Sequence, residues 1–121
     1  KQYGSWILVS ESTWKETNGM FLGRKLDRVR VVGIETPVQL YNQLAVRSEA
    51  SGQAVALVDR FNLAIDAYRE RRFADALLLF TKCAELAPED DASKIFLERV
   101  RALLRDGTPE GWSDIITMTA K

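Results

Sequence analysis

The stretch "DRVRVVGIETPVQLY", residues 27–41, decides how this chain is read. Two runs of alternating character flank a short segment that holds one glycine, Gly33, and one proline, Pro37. In the first run Leu26, Val29 and Val31 stand against Arg28 and Arg30. Alternation of this kind marks a half-buried strand, and Gly33 marks the turn region. Pro37 opens the second run, "VQLYNQLA", at a position where a strand tolerates a residue without an N–H. The stretch predicts two strands joined by a turn. Whether they form a surface hairpin or the closing piece of a larger domain depends on their surroundings.

Upstream, "SWILV", residues 5–9, reads as a buried strand. Ser10 then stands as N-cap of a short helix, "ESTWKETNG", which Asn18 and Gly19 end. Residues 1–45 therefore read as strand, helix, strand, strand. Downstream, "VRSEASGQ" is polar and small, and residues 46–56 are assigned to a linker and helix start. Helical periods follow. Leu57, Val58, Phe61, Ala64, Ile65 and Tyr68 recur every three to four residues. Phe73, Ala76, Leu77, Phe80, Cys83 and Leu86 repeat the pattern, and Pro88 stops it. A third helix starts near Asp90 or Asp91, carries Ile95, Phe96, Val100, Leu103 and Leu104, and ends at Asp106-Gly107. Residues 57–107 thus form a helical unit. The tail, residues 108–121, reads as irregular with a short extended stretch at 115–119. The predicted class is α+β.

Composition narrows the function classes. The chain has 121 residues, enough for one compact domain or two small units. Its 46% hydrophobic content argues against general disorder. Seventeen basic and 17 acidic residues cancel, so no net charge draws it to nucleic acid or an anionic membrane. With no histidine, imidazole acid–base chemistry and the common zinc-ligand sets are excluded. The single cysteine, Cys83, allows no intrachain disulfide and suits a reducing compartment. No apolar run approaches the roughly 20 residues of a bilayer span, and no signal peptide is visible. The expected setting is the cytoplasm. The chain does not begin with Met and runs almost at once into an apolar segment, so it is expected to be a piece of a longer protein.

Residues 57–88 resemble a tetratricopeptide repeat, a 34-residue helix–turn–helix with small and aromatic residues at fixed offsets. Leu63-Ala64 match the Leu-Gly pair of its first helix, and Tyr68 an aromatic near that helix's end. Phe73, Ala76, Phe80 and Pro88 match the Tyr, Ala, aromatic and Pro of its second helix. Small residues let the helices cross closely, and the aromatics fill the space beside them. Arg60 stands at the repeat's Trp position, with Phe61 beside it. One repeat cannot bury its own apolar face, so the third helix is expected to serve as a cap. "LLLF", residues 77–80, is wider than one packing face needs. Leu78 or Leu79 is therefore expected to touch something beyond the first helix.

Residues 1–45 resemble the C-terminal end of a class III adenylate/guanylate cyclase catalytic domain. The residues that carry this are Tyr3-Gly4, Ile7-Leu8-Val9-Ser10-Glu11, Arg24, Leu26-Asp27, Val29, Val31, Gly33, Pro37-Val38 and Tyr41, in that order. Trp112-Ser113-Asp114 and Met118-Thr119-Ala120-Lys121 resemble the tail that follows a repeat-like extension in some bacterial members. The resemblance implies a parent that closes a nucleoside triphosphate into cyclic AMP or cyclic GMP with two divalent ions, Mg or Mn, on carboxylates. In the family those carboxylates, and the Asn and Arg pair, precede the segment matched here. The late strand often carries lysines, where this chain has Val32 and Ile34.

The chain itself is therefore expected to hold no catalytic residue, metal or cofactor. Its expected role is regulatory or architectural, through a protein partner or self-association as a homodimer. The alternative is a free-standing interaction module whose cyclase-like part only completes a core. Candidate interaction residues are Leu78, Leu79, Trp112, Arg69 and Arg72. Trp112 is expected to dock on the same chain or on a partner. Arg60, Arg69, Arg71 and Arg72 read as a solvated ridge pairing with Asp66, Glu70 or Asp75. Glu85, Glu89, Asp90 and Asp91 read as helix capping rather than a metal site. Cys83 and Trp14 read as packing residues, as does Trp6. Strand edges left open invite a dimer or strand exchange, unless the helices or the tail cover them.

Overall fold

The computed structural model describes residues 7–31, 33 and 35–118. The chain is α+β and divides into two compact units. One is a sheet unit of Ser5–Ala50 with Ser113–Lys121, the other a helical unit of Ser51–Trp112. The stretch read as a tail is shared between them: the boundary falls after Trp112.

In the sheet unit the order is β1 (Leu8–Ser10), α1 (Glu11–Glu16), β2 (Phe21–Val31), β3 (Val38–Val46) and, from the tail, β4 (Ile116–Met118). The sheet runs β1-β3-β2-β4. β3 pairs antiparallel with both β1 and β2, and β4 lies parallel to β2 with Val29 opposite Ile116. Ser10 caps α1, its hydroxyl accepting from the Thr13 N–H at 3.4 Å. Asn18 and Gly19, both at positive φ, turn the chain out of α1.

Two expectations for this unit are corrected. Of the segment read as a buried strand at 5–9, the described residues 7–9 are not buried: β1 is Leu8–Ser10, and Ile7 and Leu8 are 58% and 38% exposed. The reason is its place at the sheet margin, paired only with β3 among the described residues. The alternation at 26–31 is also not regular. Leu26 and Val29 are both buried although they stand three positions apart, an odd offset. A register shift between Lys25 and Arg28 inserts the extra residue that restores Val29 to the buried side. Gln39 donates to the Leu26 carbonyl at 3.1 Å within this bulge. A second shift lies at Leu22/Gly23, where the strand passes under Trp14. Trp14 is half-buried and stacks on Tyr41, the rings 5.1 Å apart and 10° from parallel. Trp6, Tyr3-Gly4, Val32, Ile34 and residues 119–121 lie outside the described residues.

The helical unit contains α2 (Gly52–Arg69), α3 (Phe73–Leu86) and α4 (Asp91–Asp106). Ser51 caps α2 through the Ala54 N–H at 3.0 Å, and Asp90 caps α4 through Ser93. α3 packs against both α2 and α4. Ala64, Ala76 and Cys83 are fully buried, small residues at which the helix backbones approach. Phe61, Phe80 and Phe96, one from each helix, meet pairwise with centroids 5.4 to 5.5 Å apart. No helix among the described residues is long and apolar enough to cross a membrane.

Candidate functional site

The candidate interaction residues do not form one patch. Leu78 is 64% exposed on α3, with Leu77 and Leu79 half-buried beside it. Leu63 on α2 is 58% exposed. At about 100° per residue, Leu78 lies some 140° around α3 from Phe73, which Trp112 contacts. The exposed leucine and the tail tryptophan therefore occupy different sides of that helix.

Trp112 docks within the helical unit. Its ring meets Tyr68 of α2 and Phe73 of α3 edge-on, at 5.3 and 5.2 Å. The Arg71 guanidinium lies 5.8 Å from the indole centroid and donates to the Trp112 carbonyl at 2.6 Å. Arg71 sits in the turn between α2 and α3 with φ of 65°, a left-handed value uncommon for a residue with a side chain. Arg71 is exposed, as a solvated ridge requires, and its partner is the tail carbonyl rather than Asp66, Glu70 or Asp75. Arg72 does pair with acids, Glu70 at 2.9 Å and Asp75 at 3.0 Å. Both carboxylates push its guanidinium pKa further up. Arg69 is half-buried. An open groove of about 360 Å³ runs beside Trp112, lined by Tyr68, Arg99, Leu103 and Pro109 among others.

Two residues beyond Trp112, the tail makes its second anchor. Arg28 of β2 grips Asp114 with a two-pronged ion pair, Nε to Oδ2 at 2.8 Å and Nη2 to Oδ1 at 2.6 Å. Asp114 is 6% exposed and Arg28 39%. Donating to the Asp114 carboxylate raises the Arg28 pKa. β4 follows at once and covers the β2 edge at residues 29–31.

Sequence reasoning named Asp114 in the tail motif and Arg28 in the alternating run but missed their pairing. They lie 86 positions apart, and neither stands in a local pattern that names its partner. Asp90, read as a cap, is a cap. Among the described residues, no group of three or more His, Cys, Asp or Glu is placed to hold a metal ion. A buried polar row, Arg24, Asp27 and Asn42, sits in the sheet unit, with Arg24 Nε donating to Asn42 Oδ1 at 3.1 Å.

No protein-family model, curated protein or solved structure matches this chain.

Proposed function

We propose that this chain is the non-catalytic C-terminal regulatory and interaction region of a class III nucleotide cyclase. The observation that carries the reading is where the family-like residues fall. In β2, Arg24, Leu26, Asp27 and Val29 are all nine-tenths or more buried. Ser10 caps the short helix, Tyr41 stacks on it through Trp14, and Gly33 has the positive φ of 92° that a glycine turn supplies. A family motif whose positions are those a unit must bury is doing structural work, in keeping with a segment that supports chemistry performed elsewhere. The helical unit supports a tetratricopeptide-like extension in the same way: Tyr68, Phe73, Ala76 and Phe80 are buried, and Ala64 lies at the α2–α3 crossing.

On this reading the parent would supply the carboxylates that hold two Mg or Mn ions, which activate the 3′-oxygen and neutralise the phosphates. This chain would supply none of them. The helical unit would bias the parent's dimerisation or bind a protein partner through the face that holds exposed Leu78 and half-buried Leu79. Localisation would be cytoplasmic, with any membrane anchor of the parent upstream. A second reading, a free-standing interaction module, is favoured by the exposed Leu63 and Leu78, since a repeat-like unit leaves such residues for a neighbour.

Two measurements test the proposal. Incubating the purified chain with ATP or GTP and Mg²⁺ or Mn²⁺ is expected to give no cyclic nucleotide; turnover would overturn the non-catalytic reading. Sequencing upstream in the parent distinguishes the two readings. Metal-binding aspartates and an Asn…Arg motif are expected there, and their absence favours the free-standing module.

A further inference from the structure

We propose that the β2 edge at residues 29–31 is an acceptor site for an extended peptide, that Arg28 selects a carboxylate two positions before the first paired residue, and that the chain's own residues 114–118 occupy it. Every residue of this site lies in the sheet unit. β4 runs parallel to β2, with Val29 opposite Ile116, Arg30 opposite Thr117 and Val31 opposite Met118. Asp114 stands two positions before Ile116, and Arg28 one position before Val29. The bulge in β2 ends at Arg28, and a bulge re-aims the side chains beside it. The guanidinium closes on the carboxylate with both prongs, at 2.8 and 2.6 Å. Ser113 Oγ accepts from the Ile115 N–H at 3.1 Å, a tight turn that sets Asp114 at the entry to the strand.

Backbone pairing alone does not choose a segment. Every extended chain offers the same N–H and C=O groups, and a parallel strand of three residues is too short to hold itself. The ion pair supplies both hold and register. A slip of one residue would carry the carboxylate about 3.3 Å along the strand, out of reach of the fork. It would also turn Ile116, half-buried, to the other face of the sheet. Asp114 is 6% exposed, so a segment with a neutral side chain at this position forfeits its charge-assisted bonds, and loss of the Arg28 fork leaves a buried carboxylate short of donors. Lysine in place of Arg28 keeps the charge without the planar fork. The peptide that fits is therefore acidic at its entry and β-branched at its first paired position, as Asp114 and Ile116 are. A second chain with the same pattern competes with residues 114–118 for the edge.

Hydrogen exchange of the full chain tests this, with and without an added peptide of residues 113–118, SDIITM, blocked at both ends. In Asp114→Asn the amides that pair β2 with β4 should exchange about tenfold faster or more, with the amides that pair β1 with β3 unchanged. Excess SDIITM peptide should restore protection on the β2 side, and the same peptide carrying Asp114→Asn should not. Arg28→Lys should show the same faster exchange, with neither peptide restoring it. Unchanged exchange in Asp114→Asn would overturn the proposal, since the edge would then hold its strand without the carboxylate. Equal rescue by both peptides, or rescue in Arg28→Lys, would overturn it too, because the edge would then accept a strand without the fork. So would an equal rise between β1 and β3, which would make the ion pair a general support of the sheet.

Discussion

Gly23 lies under the Trp14 ring, and the neighbouring atoms leave no room for a side chain. A Cβ there would fall 2.4 Å from Trp14 Cη2 and 2.9 Å from the Asn42 carbonyl oxygen. Trp14 is held in turn by its stack on Tyr41, and the Asn42 oxygen belongs to the backbone of β3. Gly23→Ala should therefore cost about 1–3 kcal/mol, read as a lower urea midpoint at unchanged slope. Gly52→Ala is the matched control: nothing lies within 4 Å of a Cβ there, so the change should be within about 1 kcal/mol of neutral. At Arg28 the sign of the pH effect follows from its raised pKa. A cation whose folded pKa is raised stabilises fully below its unfolded pKa and loses that only as pH rises through the folded value. Both lie far above neutral, so between about pH 7 and 10 the Arg28 contribution should not change. Exchange protection of β4 measured across that window, after correction for intrinsic rates, should stay flat on this account. Replacing the partner instead, Asp114→Ala, should cost about 1–3 kcal/mol in the same denaturation assay.

The helices are the elements the sequence makes plainest. Each carries a three-to-four residue apolar period, and α2 and α4 begin at side chains that bond the first free N–H groups. The physical causes are local, so they can be read locally. Ser51→Ala should lower stability by about 1 kcal/mol, checked by thermal or urea unfolding. The Phe61–Phe80–Phe96 knot joins all three helices, and Phe96→Ala should cost about 3–5 kcal/mol, enough to threaten folding of the helical unit. The strands were harder to read for the opposite reason. "SWILV" is apolar enough for a core strand, but burial depends on what lies on either side, and β1 has the sheet margin. The extended stretch near residue 116 was visible, but not its pairing, because nothing in "SDIITM" names Val29 or Arg28 as its neighbours. The bulge at Lys25/Arg28 hid inside an alternation that looks regular until its parity is counted. Of the candidate site, the size of Trp112 called for a docking place, on this chain or on a partner, without naming which. The use of Arg71 could not be read, since it depends on a left-handed turn that the sequence "YRERRF" does not announce.

At the scale of the molecule, the tail changes what the sheet offers to other chains. Open strand edges in general were expected to favour self-association. β4 pairs with β2 at residues 29–31. In the helical unit Leu63 and Leu78 are exposed apolar residues, each on its own helix. Leu78→Ser should leave the urea midpoint within about 0.5 kcal/mol of wild type, as expected for an exposed position. If that face serves a partner, the same change should weaken the association measurably. The proposal that the helical unit regulates a cyclase is put to the test by measuring cyclic nucleotide formation in the complete parent with and without residues 57–121. A changed rate together with a changed dimer fraction or lost partner binding is expected; identical rate, oligomeric state and partner binding would contradict the proposal.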